Sequence, residues 1–212
     1  MRLRITEIFF SLQGETATVG IPTIFIRLTG CPLRCQYCDT AYAFNGGTFW
    51  NIDDILQEIT KYKTRYVTVT GGEPLTQPDC IHLLNKLCDQ NYIVSLETSG
   101  ALSVQNVDPR VVKILDIKTP GSQESSRNDF RNLDYLTEQD QIKFVICDRD
   151  DYIWAKDILN QYQLVPAKKV LFSPSHQQLS ADKLAQWILD DGLPVRFQIQ
   201  LHKYIWGDVP GR

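Results

Sequence analysis

The alternation of short β-type runs with helix-period runs is the feature that most limits how this chain can fold. Apolar residues at helical spacing predict helices after Asn51, from about Asp79 to Gln90, from Asp151 to Tyr162 and after Ser180. Runs rich in β-branched and aromatic residues predict strands. These runs are Arg4–Phe10, Thr23–Thr29, Tyr66–Thr70, Ile93–Glu97, Val112–Ile117, Gln141–Ile146, Lys169–Phe172 and Val195–Leu201. Strands that alternate with helices indicate βαβ units and a parallel sheet.

Chain length narrows the choice of architecture. A complete eight-unit barrel takes about 250 residues, and this chain has 212. The α/β pattern therefore predicts either a doubly wound sheet or a shortened barrel. In both architectures ligands gather at the C-terminal ends of the strands, so the residues that follow each strand are the first candidates for a site.

Charge and hydropathy exclude several classes of function. Lys and Arg number 22 against 25 Asp and Glu, a net charge of −3 that does not suit a binder of nucleic acid. No apolar run reaches the roughly 20 residues that cross a bilayer, so we expect no membrane partner. The start of the chain is a poor signal peptide, which predicts a cytoplasmic protein. In that compartment the six cysteines are expected to be metal ligands or buried thiols rather than disulfides.

Three cysteines carry the strongest chemical signal. Cys31, Cys35 and Cys38 lie within eight residues, directly after a predicted strand. Thiolates suit iron–sulfur clusters and zinc. Structural zinc needs four ligands, and no second close pair of Cys or His completes such a set. The pattern therefore favours a cluster, whose unligated iron would be open to a small molecule, while zinc and redox thiols remain alternatives.

Two motifs together resemble the radical S-adenosylmethionine superfamily. The first is the Cys-x3-Cys-x2-Cys spacing with Tyr37 before the last cysteine, and the second is Gly71-Gly72-Glu73-Pro74 after the next strand. The resemblance implies a single domain over residues 1–212 with an incomplete parallel (β/α) barrel. It also implies a [4Fe–4S] cluster on Cys31, Cys35 and Cys38 whose open iron binds S-adenosylmethionine.

Further segments are similar to the 7-carboxy-7-deazaguanine synthase family. They are Ser11–Glu15, Phe25–Leu28, Cys38–Thr40 and Gln200–Lys203. The resemblance implies ring contraction of 6-carboxy-5,6,7,8-tetrahydropterin to 7-carboxy-7-deazaguanine with release of ammonia, in the biosynthesis of queuosine and related 7-deazapurines. It implies Mg2+ as a further cofactor, a homodimer, and an electron donor such as flavodoxin or ferredoxin. An activase of a glycyl-radical enzyme and a zinc-binding structural module are the rival functions.

The same resemblance implies a set of substrate-binding residues. An arginine at the C-terminal end of a strand can hold a carboxylate with two hydrogen bonds, although it can also be a surface arginine. A histidine on a polar face can bind the substrate carboxylate or handle a proton, although a position at the rim is equally compatible with the pattern. The substrate-binding residues implied are Leu12, Gln13, Gly14, Arg27, Thr70 and His202.

Metal and cofactor residues complete the implied site, for which no catalytic residue is assigned. Thr40, which on its own would be interpreted as a helix cap, is implied to bind Mg2+ through its hydroxyl. Contacts to S-adenosylmethionine are implied for residues at the ends of three strands. They are Gly72, Asp116, Ile117, Lys118, Ser173, Pro174, Ser175 and His176.

Overall fold

The computed structural model describes residues 1–165 and 169–211. The strands are β1 (Arg2–Leu12), β2 (Pro22–Leu28), β3 (Thr48–Asn51), β4 (Tyr66–Gly71), β5 (Ile93–Thr98), β6 (Val112–Ile117), β7 (Gln141–Ile146), β8 (Lys169–Pro174) and β9 (Arg196–Phe197). The helices are α1 (Ile52–Ile59), α2 (Cys80–Asp89), α3 (Arg149–Gln161), α4 (Ala181–Asp190) and α5 (Leu201–Trp206). None of the helices in these two ranges is long and apolar enough to cross a bilayer.

All the strands belong to one sheet with the order β3-β1-β2-β4-β5-β6-β7-β8-β9. From β2 to β9 neighbouring strands run parallel, whereas β1 pairs with β2 and β3 in antiparallel orientation. The order begins at β3 and ends at β9, so within the described ranges hydrogen bonds do not close the sheet into a ring. This open, mostly parallel α/β sheet confirms the predicted incomplete barrel.

The two faces of the sheet separate apolar from polar side chains. On β4, Val67 and Val69 are buried in the main core, whereas Thr68 and Thr70 lie on the opposite face, where Thr70 lines a cavity. This alternation follows from the two-residue period of a strand. The same pattern recurs across the sheet. The apolar face contributes Ile24, Ile26, Leu28, Val94, Leu96, Leu115, Ile117, Ile142, Phe144, Ile146, Val170 and Phe172 to the core.

Two elements differ from the prediction based on sequence. The four-residue strand β3 was not predicted, because a short edge strand with exposed side chains carries little periodic signal. The predicted strand Val195–Leu201 is wrong beyond Phe197, because the chain leaves the sheet there and Leu201 begins helix α5. The backbone N–H of Leu201 donates to the carbonyl of Gly14 at 2.9 Å, which holds this helix against the loop that follows β1.

A buried ion pair stabilises the N-terminal edge of the sheet. Lys113 Nζ lies 2.9 Å from Asp140 Oδ2, and the two side chains are 2% and 0% exposed. Asp140 also accepts hydrogen bonds from the backbone N–H groups of Lys113 and Thr137, each at 2.7 Å. The carboxylate therefore joins the start of β6 to the loop that precedes β7.

We expect Asp140→Ala to lower the free energy of unfolding by about 3–5 kcal/mol, because it leaves the Lys113 ammonium buried without a counter-charge. Urea unfolding followed by circular dichroism measures this change. Lys86→Ala is the matched control, because its pair with Asp53 is solvent-exposed and no measurable effect is expected. A loss below about 1 kcal/mol for Asp140→Ala would contradict the assigned role of the pair.

Candidate active site

The C-terminal ends of the parallel strands open into a cavity of about 500 Å³. Parallel strands end at one edge of a sheet, so residues distant in sequence meet there. The cavity is lined by side chains from the cysteine segment, from six strands, from the loop after β1 and from α5. Its polar lining residues include Gln13, Glu15, Arg27, Cys31, Cys35, Cys38, Asp39, Thr40, Thr70, Glu97, Asp116, Lys118, Lys143, His202 and Lys203.

The cysteine loop (residues 31–38) brings its three thiols to this cavity, where each is partly buried. Burial raises the pKa of Cys35 to about 11, so a bound cation is needed to stabilise the thiolate. Among the residues that the structure describes, no three Cys, His, Asp or Glu side chains converge on one point as the ligands of a single ion do. Three thiols around an open space fit a multi-iron cluster better than the closed shell of structural zinc.

The turn that follows β4 packs against the start of the cysteine loop. A Cβ on Gly72 would lie 2.2 Å from the Gly30 carbonyl oxygen and 2.8 Å from Cys31 Cβ, so only glycine fits this close approach. Glu73 is fully buried, and its carboxylate accepts from the backbone N–H of Ser99 at 2.6 Å and from Thr98 Oγ1 at 3.0 Å. The Gly-Gly-Glu motif thereby joins the ends of β4 and β5 to the start of the cysteine loop.

We expect Gly72→Ala to reduce bound iron several-fold, because the added methyl group overlaps backbone atoms of the cysteine loop. Iron and sulfide per chain after anaerobic reconstitution measure the effect. Gly192→Ala is the control, since its φ of +56 imposes conformational strain while its Cβ would meet nothing within 4 Å. Full iron content in Gly72→Ala would show that the loop tolerates displacement.

A chain of charged groups crosses the inner face of the sheet. Lys143 Nζ lies 2.7 Å from Glu15 Oε2 and 3.3 Å from Asp116 Oδ2, and Lys118 Nζ lies 3.1 Å from the same Asp116 atom. Burial alone would lower the pKa of Lys143, but the two carboxylates raise it well above its usual value. Burial and these carboxylates also raise the pKa of Glu97. The cavity wall is therefore polar but nearly balanced in charge.

Arg27 lies on β2 and faces the cavity, on the side of the strand opposite to the buried Ile26 and Leu28. Its Nε donates to Glu7 Oε1 at 2.8 Å, and the Tyr42 hydroxyl donates to the same oxygen at 2.7 Å. The guanidinium also lies over the rings of Phe9 and Tyr42. These contacts fix the guanidinium through its Nε atom. Its terminal N–H groups are then oriented to donate to a ligand carboxylate.

The loop after β1 enters the inner face of the sheet, where Leu12, Gln13 and Gly14 line the cavity. The Gln13 amide is already engaged within the protein. Its Nε2 donates to Thr68 Oγ1 at 3.1 Å and its Oε1 accepts from the Glu15 backbone N–H at 3.3 Å. We therefore assign the Gln13 side chain first to holding this loop.

The residues after the last cysteine line the cavity mouth. Thr40 precedes a 3₁₀ turn but makes no side-chain cap, and its hydroxyl donates to Asp39 Oδ1 at 2.7 Å. Desolvation opposes ionisation of Asp39, but Lys203 at 3.1 Å holds the pKa of this carboxyl below its usual value. The Thr40 hydroxyl oxygen keeps lone pairs available for a hard cation such as Mg2+.

His202 reaches the cavity from helix α5 and not from a strand. A Cβ on Gly14 would lie 2.0 Å from His202 Nδ1, so the glycine allows the imidazole to pack against the loop after β1. Burial lowers the pKa of His202, which keeps the imidazole neutral near pH 7. Residues 207–211 of the tail also line the cavity, while Arg212 lies outside the described residues.

The residues expected to bind S-adenosylmethionine divide into two groups. Gly72, Asp116, Lys118, Ser175 and His176 line the cavity. By contrast, Ile117, Ser173 and Pro174 are buried and are not among the residues that line the cavity. Ile117 packs in the hydrophobic core, so a role in binding for Ile117 would rest on its backbone groups.

Comparison with known proteins identifies the family. Residues 25–116 match the model of the radical SAM superfamily. The chain is 44% identical over 207 residues to the 7-carboxy-7-deazaguanine synthase of Chlorobaculum tepidum, with 96% of this chain and 94% of the relative covered. It is 43% identical to that of Koribacter versatilis, with 96% and 97% covered. The chain belongs to the 7-carboxy-7-deazaguanine synthase family.

The solved structures agree on the fold. The chain resembles QueE from Escherichia coli with a TM-score of 0.79 and 24% identity over 95% of each chain. It also resembles SuiB of Streptococcus suis bound to S-adenosylmethionine, with a TM-score of 0.56 and 15% identity over 81% of this chain and 45% of that one. Membership of the 7-carboxy-7-deazaguanine synthase family makes this chain a radical S-adenosylmethionine lyase with a [4Fe–4S] cluster, as the motifs predicted.

Several side chains in the site of this 7-carboxy-7-deazaguanine synthase family member were not among the predicted residues. They are Glu7, Asp39, Tyr42, Lys143 and Lys203. Lys143 had a recognisable signal, since a lysine inside the otherwise apolar run of β7 needs a buried partner. Glu7 and Lys203 had none, because only the register of β1 on β2 and the approach of α5 bring them to Arg27 and Asp39.

Proposed function

We propose that this chain converts 6-carboxy-5,6,7,8-tetrahydropterin into 7-carboxy-7-deazaguanine with release of ammonia, in the formation of queuosine or related 7-deazapurines. The observation that carries the proposal is the meeting of three cysteines and Arg27 in one cavity of about 500 Å³, a volume typical of small-molecule sites. The relatives at 44% and 43% identity are named for formation of the same product.

The cysteine loop supplies the ligands for the cofactor in this proposal. A [4Fe–4S] cluster on Cys31, Cys35 and Cys38 would supply the electron that splits S-adenosylmethionine into methionine and a 5′-deoxyadenosyl radical. Gly72, the Asp116–Lys118 pair and Ser175 line the adjoining wall and are proposed to hold S-adenosylmethionine. These residues act by fixing the cofactor against one side of the cavity, which determines where hydrogen is removed.

A second set of residues at the same cavity is proposed to hold the pterin. Arg27 would pair with the substrate carboxylate, and the Thr40 hydroxyl would help to hold Mg2+, which would supply positive charge beside the substrate oxygens. Thr70 and neutral His202 lie at the same cavity and offer hydroxyl and imidazole hydrogen bonds. Rigid orientation is needed because a primary-carbon radical attacks the nearest C–H bond.

We further propose a cytoplasmic homodimer, organised as one domain over residues 1–212, that takes its electron from a flavodoxin or ferredoxin. All six cysteines are free thiols in the structure, as a reducing compartment requires. Sedimentation tests the dimer. Turnover with each reduced electron carrier in place of dithionite tests the donor.

Anaerobic reconstitution followed by incubation with the pterin, S-adenosylmethionine, Mg2+ and dithionite tests the reaction. We expect stoichiometric 7-carboxy-7-deazaguanine and ammonia, S-adenosylmethionine that is not consumed, and slower turnover when Mg2+ is removed. About four irons with matching sulfide per chain would exclude the zinc module. A fully loaded protein that makes no product would overturn the proposed reaction and leave the activase as the next candidate.

A further inference from the structure

Glu15 Oε1 is one of the buried acceptors in the cavity wall that no donor among the described residues reaches, and Asp116 Oδ1 is another. Glu15 is 6% exposed and lines the cavity. Its Oε2 pairs with Lys143 at 2.7 Å, whereas its Oε1 meets no hydrogen-bond donor anywhere in residues 1–165 and 169–211. A buried acceptor without a donor is costly, so its presence at a ligand cavity indicates that a ligand supplies the donor.

The fixed position of this carboxylate strengthens the argument. The Glu15 backbone N–H donates to Gln13 Oε1, and the next residue, Thr16, donates its backbone N–H to Gln198 Oε1 at 2.9 Å. Lys143 is itself held from the other side by Asp116 at 3.3 Å. The backbone bonds of Glu15 and Thr16 and the ion pair with Lys143 thus fix the position of the Glu15 carboxylate. Its Oε1 is therefore preorganised to accept a hydrogen bond from a ligand in the cavity.

The carboxylate of Glu15 indicates which kind of ligand group can donate to it. Two parallel N–H groups on one edge of a flat ring match the two oxygens of a carboxylate, each of which can accept more than one hydrogen bond. A pterin carries such an edge, formed by its 2-amino group and the neighbouring ring N–H. The Gln13 amide, which was expected to recognise the substrate, already bonds to Thr68 and to the backbone of its own loop.

We propose that Glu15 recognises the aminopyrimidinone edge of the substrate and so determines specificity for 2-aminopterins. This inference rests on the proposed function, because it takes the pterin as the ligand of the cavity. Lys143 is the positioning residue that holds the Glu15 carboxylate. A substrate without the 2-amino group leaves Glu15 without one of its donors and binds correspondingly less well.

A substrate-by-variant comparison tests the inference in the reconstituted enzyme. We measure kcat/KM and Kd for 6-carboxytetrahydropterin and for its 2-desamino analogue. The wild type is expected to prefer the amino compound roughly 10- to 100-fold, the range for a hydrogen bond to a charged group. Glu15→Gln is expected to reduce this preference to about threefold or less, because the amide replaces one acceptor with a donor.

Thr68→Val is the matched control. It removes the Thr68 Oγ1 that accepts from Gln13 Nε2 and loosens the same loop without changing Glu15. Both substrates are expected to lose activity equally, so that the wild-type preference remains. If Glu15→Gln lowered kcat/KM for both substrates by the same factor, the carboxylate would serve only to hold Lys143, and the proposal would be overturned.

If Glu15→Gln does not fold, the Kd values of the wild type for the two pterins still test the proposed role of Glu15. Equal Kd values for the two pterins would overturn the role of Glu15 while leaving the proposed reaction intact. Absence of turnover with both compounds, despite a clear preference in Kd, would instead contradict the proposed reaction and support the recognition site. Binding of neither compound would overturn both.

Discussion

Cys35→Ala is expected to abolish 7-carboxy-7-deazaguanine formation and most of the bound iron. Cys35 is one of only three thiols at the cavity among the described residues, so no other thiol of that part of the chain can replace it there. Loss of a ligand from a three-thiolate set removes the cofactor on which catalysis depends. The rate should therefore fall to the uncatalysed level, a loss of at least about 10⁶-fold.

Cys88→Ala is the matched control for this prediction. Cys88 lies on α2 at the edge of the main core, away from the cavity, so its replacement is expected to cost stability but no iron. Iron and sulfide analysis, the visible absorption of the cluster and product formation are measured on both variants. Wild-type turnover by Cys35→Ala would overturn the assignment of the cysteine loop as the cofactor ligand set.

Arg27→Ala is expected to raise KM for the pterin roughly 10²- to 10³-fold with a smaller change in kcat. The Arg27 and Glu7 side chains are only 16% and 22% exposed, so Arg27→Ala leaves the Glu7 carboxylate unpaired where the substrate carboxylate is proposed to bind. Truncation of one partner in a mostly buried charge pair costs about 2–5 kcal/mol, and 1.4 kcal/mol corresponds to a tenfold change.

Two companion variants separate charge from geometry at this position. Arg27→Lys keeps the charge but loses the planar fork and should give an intermediate KM. Glu7→Gln keeps the guanidinium and should change KM by less than about tenfold, since the Gln amide oxygen still accepts from Arg27 and Tyr42. A KM for Arg27→Ala within threefold of the wild type would place the substrate carboxylate elsewhere.

Local periodicity was sufficient to predict most of the architecture. The apolar positions of α1, α2 and α4 and the alternation on β4 and β7 are visible in the sequence, because burial on one face imposes a fixed spacing. The end of the last predicted strand was not visible. Helix α5 begins where the Leu201 backbone N–H donates to the Gly14 carbonyl of the loop that follows β1, and nothing in the neighbouring sequence encodes that distant contact.

The sequence by itself determined the family and predicted the three thiols as cluster ligands, because three cysteines at fixed spacing on one loop are a local property. Only the tertiary structure decided which groups are already paired within the protein. It showed that Arg27 is held by Glu7, that the Gln13 amide is used by Thr68, and that Glu15 keeps a free oxygen. These partners come from separate strands and loops, so hydrogen bonds among them exist only after the sheet has set their register.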